Sequence, residues 1–138
     1  MKTLLTLFLA IITIITSSSA NTGDYYMCFT SDANSDLGFS IVFLKSNERA
    51  YALLYKGKSE YIPLEYKKTV YAKGSAAHTE VYVEKYAGKV TGTYELKYNG
   101  NWVYVYYKRK KDGKTFTFTI DLEMSTQDGD PYRTTPCF

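Results

Sequence analysis

The segment between residues 102 and 114 carries the residue types best suited to bind a partner. Val103, Val105 and Tyr107 alternate with a second aromatic row, and adjacent cations follow at a predicted turn. One apolar face is enough to reach a core, so a second apolar row indicates a surface that something covers. Adjacent cations repel one another, which an acidic partner would relieve. We therefore predict a partner-binding surface formed by Trp102, Tyr104, Tyr106, Lys108, Arg109, Lys110 and Lys111.

A structural interpretation of the same segment stays open. Residues 67–77 or the C-terminal tail would then cover the aromatic row. Lysines at a hairpin tip also block edge-to-edge aggregation of β-proteins, and in that case they are simply solvated.

Residues for catalysis or metal binding are sparse. His78 is the only histidine, and it lacks the partners that zinc or a serine nucleophile requires. Glu80 and Glu84 would lie about 13 Å apart on a strand, farther than paired glycosidase acids, so we expect both to be outward, solubilising charges. Asp128 and Asp130 lack the complete ligand series of a calcium-binding EF-hand loop. We predict a protein that is not an enzyme and that has no metal site and no cofactor.

The elements that position these residues are predicted to be short strands. The chain has 15 tyrosines and 7 phenylalanines, which favour strands, and no long segment shows a helical period. Turn signals recur every ~8–12 residues, which is typical of an up-and-down barrel, a flattened barrel or a sandwich. We expect about eight antiparallel strands, at residues 25–30, 38–44, 49–56, 59–66, 78–86, 90–98, 102–107 and 115–123.

Three local features refine this prediction. Asn99-Gly100 predicts a type I′ hairpin turn, in which both central residues have positive φ. Pro63 predicts an edge strand or a bulge, because proline cannot donate to a β-ladder. Residues 67–77 are predicted to form a longer connection, with at most a short strand at 69–72.

Alternation predicts two inward faces, one formed by Val90, Gly92, Tyr94, Leu96 and Tyr98 and the other by Phe116, Phe118, Ile120 and Leu122.

The ends of the chain predict export. Residues 1–20 contain Lys2, an apolar run over residues 4–15 and a small-residue site before Asn21, as in a signal peptide. The run is shorter than the ~20 residues of a membrane-spanning helix, so we expect no membrane span in the mature chain. The mature chain would be a single all-β domain over residues 21–138. Without Lys2 its net charge falls from +3 to +2, far below the dense basic stripes of nucleic-acid-binding proteins.

Cys28 and Cys137 are the two cysteines of the chain. In an exported protein a lone pair most simply forms one intramolecular disulfide, which here would join the two ends of the domain. Two unpaired thiols, or pairing between chains, are the alternatives.

The chain also resembles the membrane-bound and periplasmic lysozyme inhibitors. The resemblance covers residues 25–66 and Cys137, through "YYMC", "FSIVFL" and "AYALLYKGKSEYIPL". It implies a small barrel in a periplasmic compartment. The family's inhibitory loop has a Ser-Gly-x-Arg-Tyr type sequence, whereas the corresponding "AKGSAAH" has Gly74 and Ser75 without Arg-Tyr. No inhibitory residue is therefore carried over, and a positively charged chain would not be steered toward a basic lysozyme.

Together these features predict an exported, periplasmic or secreted, non-catalytic binding or inhibitor-like protein. Its partner would be a protein or an anionic glycan or other envelope component, and not nucleic acid. The alternative function is a structural or surface-interaction protein of the cell envelope.

Overall fold

The computed structural model describes residues 24–130 and 132–138, so the predicted signal peptide lies outside the described residues. The described chain is all-β, and its strands form a closed antiparallel barrel in sequence order, as predicted. The strands are β1 (Tyr25–Ser31), β2 (Gly38–Phe43), β3 (Ala50–Tyr55), β4 (Ile62–Tyr71), β5 (His78–Tyr86), β6 (Lys89–Asn99), β7 (Trp102–Arg109) and β8 (Thr115–Ile120), followed by a short helix, α1 (Leu122–Ser125).

The turns alternate between the two ends of the barrel, because each strand runs antiparallel to its neighbours. The connections after β1, β3, β5 and β7 therefore lie at one end, which becomes the candidate site. Both residues of the two-residue connection between β5 and β6 have positive φ, at 50° for Ala87 and 78° for Gly88, which is the type I′ geometry.

The hairpin predicted at Asn99-Gly100 forms, but with a different turn. Asn99 ends β6, and the connection consists of Gly100 and Asn101. Of these two residues only Gly100 has a positive φ, 61°. A glycine in this conformation at the first central position is typical of a type II′ turn, so the predicted type I′ geometry is wrong here.

β4 is longer than predicted, because it continues through residues 67–71 and takes in most of the short strand predicted at 69–72, so the connection shortens to residues 72–77. The register between β4 and β5 shifts between Tyr66 and Lys68, where Lys67 forms a bulge. An extra residue reverses which side chains face inward, so the alternation read from the sequence breaks although the strand continues.

Pro63 lies in the short β3–β4 pairing, which has only two partner pairs in register. Pro63 therefore weakens one seam of a closed barrel instead of marking an open edge.

The C-terminal tail covers the outer face of β1 and β2. Cys28 and Cys137 form the predicted disulfide. On either side of it, the Cys28 amide donates to Ser125 Oγ at 2.9 Å and the Cys137 amide donates to Ser40 Oγ at 2.9 Å. β2 is buried along its whole length as a result, because the core covers one face and the tail covers the other.

The barrel interior is packed with aromatic side chains. The predicted inward rows of β6 and β8 are confirmed for Tyr94, Leu96, Phe118 and Ile120, which are all buried. Leu122 was wrongly placed in the inward row. Asp121 accepts a hydrogen bond from the Met124 amide and so starts α1 before Leu122, whose side chain is left exposed. Within the described ranges, no helix combines the length and the apolar character needed to cross a membrane.

Candidate functional site

Glu84 is a buried carboxylate inside the barrel, with 7% of its surface exposed. It accepts hydrogen bonds from three hydroxyls: Thr91 Oγ1 at 2.7 Å, Tyr94 at 2.8 Å and Tyr107 at 2.9 Å. The Tyr55 hydroxyl lies 3.1 Å from that of Tyr94. Because Tyr94 gives its one proton to Glu84, Tyr55 is the donor in that pair. The result is a hydroxyl network that converges on one carboxylate.

The inward position of Glu84 corrects the prediction that Glu80 and Glu84 are outward, solubilising charges. Both lie on the inward row of β5 with Tyr82, which is fully buried, and the side chain of Glu80 is only 14% exposed. Carboxylates are tolerated inside because tyrosine hydroxyls supply the hydrogen bonds that a buried charge requires. The signal in the sequence was the shared face with Tyr82, set among strands that carry inward tyrosines.

The tyrosines around Glu84 are held in their protonated form. Burial, followed by the neighbouring Tyr55 and Glu84, raises the pKa of Tyr94 well above its ordinary value. Burial also raises the pKa of Tyr107, and the hydrogen bond to Glu84 adds to that shift. A neutral phenol keeps its proton, so both side chains act as hydrogen-bond donors.

A cavity of about 850 Å³ opens beside Glu84 at one end of the barrel. We call it the barrel mouth. Its walls come from the start of β4, the β5–β6 hairpin and the end of β7. They include Glu84 with its donors Thr91 and Tyr107, the largely apolar side chains Ile62, Tyr86 and Val90, and a cationic rim of Lys89, Arg109, Lys110 and Lys111.

The cations of the rim differ in their pairing. The Arg109 guanidinium binds Asp112 with two hydrogen bonds, at 2.6 and 3.1 Å, which lower the pKa of the Asp112 carboxyl to about 2. Lys89, Lys110 and Lys111 are exposed and form no ion pair with the part of the chain that the structure describes. These three lysines therefore lack an ion-pair partner in the described chain, and the carboxylate that lines the same cavity, Glu84, is bound by hydroxyls instead.

The structure divides the surface predicted at residues 102–111. Trp102 begins β7 and Arg109 ends it. Because the strand between them is extended, their Cα atoms lie about 24 Å apart. Arg109, Lys110 and Lys111 line the mouth, whereas Trp102 and Tyr104 lie on the outer face of the barrel, 48% and 37% exposed.

The remaining members of the predicted surface stay on the outer face. Lys108 is exposed and lies outside the mouth, and Tyr106 is partly covered by Lys97, whose Nζ lies 4.5 Å from its ring centroid. The exposure of Trp102 and Tyr104 also shows that residues 67–77 and the described tail leave most of the aromatic row uncovered.

A second polar cluster lies at the opposite end of β5. The His78 ring stacks on Tyr98 with centroids 4.6 Å apart, and its Nε2 lies 3.7 Å from Glu80. The Tyr82 hydroxyl donates to the same carboxylate. His78 is therefore packed against an aromatic ring, and its side chain is 27% exposed. Residues 24–130 and 132–138 contain no group of three His, Cys, Asp or Glu side chains placed to hold a metal ion.

Comparisons with known proteins do not assign this site, since no protein-family model, no curated protein and no solved structure matches the chain. The resemblance to lysozyme inhibitors therefore stays a prediction. The function has to be argued from the geometry of the mouth.

Proposed function

We propose that this chain is an exported, non-catalytic binding protein that binds an anionic ligand at the barrel mouth. One observation carries the proposal: Lys89, Lys110 and Lys111 lie on the rim of a cavity of about 850 Å³ and form no ion pair in the described chain. Cavities that bind small ligands usually have volumes of about 300–1,000 Å³.

Electrostatics supports an anion as the ligand. The lysines come from two hairpins, Lys89 from the β5–β6 hairpin and the other two from the β7–β8 hairpin. Like charges brought together across a cleft repel each other, and a rim on which positive charges outnumber negative ones attracts anions. A bound anion would relieve the repulsion and hold the two hairpins together.

The lining of the mouth supports binding rather than catalysis. It consists of one carboxylate, hydroxyls, apolar side chains and cations, with neither histidine nor cysteine among its residues. Glu84 also receives three protein hydrogen bonds, which fix it as an acceptor.

Export is supported by the disulfide between Cys28 and Cys137. Such bonds persist in oxidising compartments and are rare where thiols are kept reduced. We retain a periplasmic or secreted location as part of the proposal.

The alternative, a structural or surface-interaction protein, is favoured by a separate observation. Trp102 and Tyr104 are exposed side by side on the outer face of the barrel, where they could contact another protein. Inhibition through the loop that corresponds in position to the inhibitory loop of the lysozyme inhibitors would use residues 72–77, which lie at the end opposite the mouth. Both alternatives place the contact away from the lysines.

The test compares two triple charge reversals of equal net charge. K89E/K110E/K111E changes the mouth, and K45E/K68E/K73E changes exposed lysines elsewhere that form no ion pair in the described chain. The probe is a heparin-derived oligosaccharide, with affinity measured by calorimetry at low and moderate salt. Exposed charge contacts contribute roughly 0.2–1 kcal/mol each, so we expect the mouth variant to lose about tenfold or more in affinity.

The control variant should stay within about threefold of the wild type, and added salt should weaken the wild-type complex. Equal losses in the two variants would mean that the probe senses net charge only. The mouth would then not be the binding site.

A further inference from the structure

The floor of the barrel mouth offers a hydrogen-bond acceptor as well as the charges of its rim. A carboxylate has about four acceptor positions, and Glu84 uses three of them for protein hydroxyls. Oε1 accepts from Thr91 and Tyr107, and Oε2 accepts from Tyr94 alone. The described chain supplies no donor for the remaining position, and Glu84 lines the cavity.

This acceptor is held rigidly. The Tyr107 ring stacks on Tyr94 with centroids 4.4 Å apart and an interplanar angle of 19°. The ring also passes so close to Gly92 that an added Cβ would lie within 2.7 Å of its Cζ and its hydroxyl oxygen. The glycine therefore makes room for the ring that orients one of the donors to Glu84. A preorganised acceptor of this kind favours a ligand with a matching donor.

We infer that the ligand of the barrel mouth is an acidic sugar, with a ring hydroxyl donating to Glu84 and an anionic group held by Lys89, Lys110 and Lys111. This inference rests on the proposed function and names the chemical class of its ligand. It requires both features of the mouth, since the lysines recognise the charge and Glu84 recognises the hydroxyl. Tyr86, Val90 and Ile62 then contact the apolar face of the sugar ring.

Two other classes of anion fit the mouth less well. The alkyl chain of a lipid-like anion would place hydrocarbon against the buried charge of Glu84 without replacing a hydrogen bond, which is unfavourable. A small inorganic anion would fill little of an 850 Å³ cavity and would have no donor for Glu84. A neutral sugar would satisfy Glu84 but would leave the lysines unpaired.

The first experiment ranks three probes against the wild-type protein by calorimetry in the same buffer. They are a uronic-acid disaccharide, a neutral disaccharide of the same size and octyl sulfate. We expect the acidic disaccharide to bind at least tenfold more tightly than either of the others. A polymer of the same uronic acid, compared on a per-chain basis, separates a polysaccharide from a free acidic sugar as the source of the ligand.

The second experiment compares Glu84→Gln with the matched control Glu80→Gln. Both side chains are inward carboxylates of β5 that accept from tyrosine, but only Glu84 lines the mouth. Replacing the charged acceptor with a neutral amide should weaken the acidic disaccharide about tenfold or more, whereas octyl sulfate, which has no donor for Glu84, should bind as tightly as before or more tightly because a negative charge is lost. Glu80→Gln should change neither affinity.

The outcomes separate this inference from the proposed function. If octyl sulfate binds most tightly and K89E/K110E/K111E abolishes that binding, the mouth binds anions but the sugar assignment is wrong. If no probe distinguishes the mouth variant from its charge-matched control, the proposed function itself fails. Should Glu84→Gln not fold, judged by near-ultraviolet circular dichroism, the ranking of the three probes on the wild type decides alone.

Discussion

Raising the pH should unfold this barrel sharply, because several tyrosines are buried inside it. Tyr82 and Tyr94 are fully buried, and Tyr98 is half-buried. Burial is the main cause that raises the pKa of each of these three hydroxyls above the ordinary value. Folding therefore favours the neutral phenol. Stability is complete below the unfolded-state pKa of ~10 and is lost as the pH rises from that value toward the folded-state pKa values.

The size of the effect follows from this linkage. One pH unit above an unfolded-state pKa of ~10, each tyrosine that stays neutral in the fold costs about 1.4 kcal/mol of stability. The three tyrosines together therefore cost about 4 kcal/mol at pH ~11 and about 8 kcal/mol at pH ~12. Domains of this size are usually stable by about 5–15 kcal/mol. We expect cooperative unfolding between about pH 11 and pH 12.

The assay follows phenolate absorbance and far-ultraviolet circular dichroism along the same pH series. The buried tyrosines should ionise in one step with the loss of β-structure. Tyr98→Phe removes one buried group and should raise the midpoint. If all tyrosines titrate together near pH ~10 while the barrel stays folded, the reasoning about buried phenols is refuted.

Two further predictions concern the supports of the fold. Gly92→Ala should lower the free energy of unfolding in urea by about 1–3 kcal/mol, because the added Cβ would clash with the Tyr107 ring. A urea unfolding midpoint equal to that of the wild type would contradict this packing. The double substitution C28A/C137A removes a bond between residues 109 positions apart and should cost about 4 kcal/mol. A thermal unfolding midpoint equal to that of the wild type would show that the tail docks without help from the disulfide.

The barrel was largely predictable because its local signals agree with one another. Alternation located each strand to within a few residues, except where Lys67 adds a bulge that reverses the inward face. Turn residues separated the strands, and a bond between the two cysteines of one chain joins the ends of the domain. The details of turns were less predictable, because φ at Asn101 depends on how the flanking strands pair and not on the dipeptide alone.

The candidate site was only half predictable. The cations at residues 109–111 stand out in the sequence, but their partners in the mouth come from β4, β5 and β6, which only the closed barrel brings together. Trp102 is close to them in sequence yet distant in space, because an extended strand lies between them. Glu84 was missed because a charged residue on a strand usually faces outward. The hydroxyls that bind it come from β6 and β7, and one of them, that of Thr91, lies where the register between β5 and β6 shifts.

The central claim, that an anionic ligand binds at the barrel mouth, is tested most directly by nuclear magnetic resonance. Amide shifts of the ¹⁵N-labelled protein would be recorded during titration with the uronic-acid disaccharide. The account predicts saturable shifts at Lys89, Thr91, Lys110 and Lys111, weakened by salt, with Trp102 and residues 72–77 unchanged. Saturable shifts confined to the Trp102–Tyr104 face or to residues 72–77, with the mouth unaffected, would contradict it.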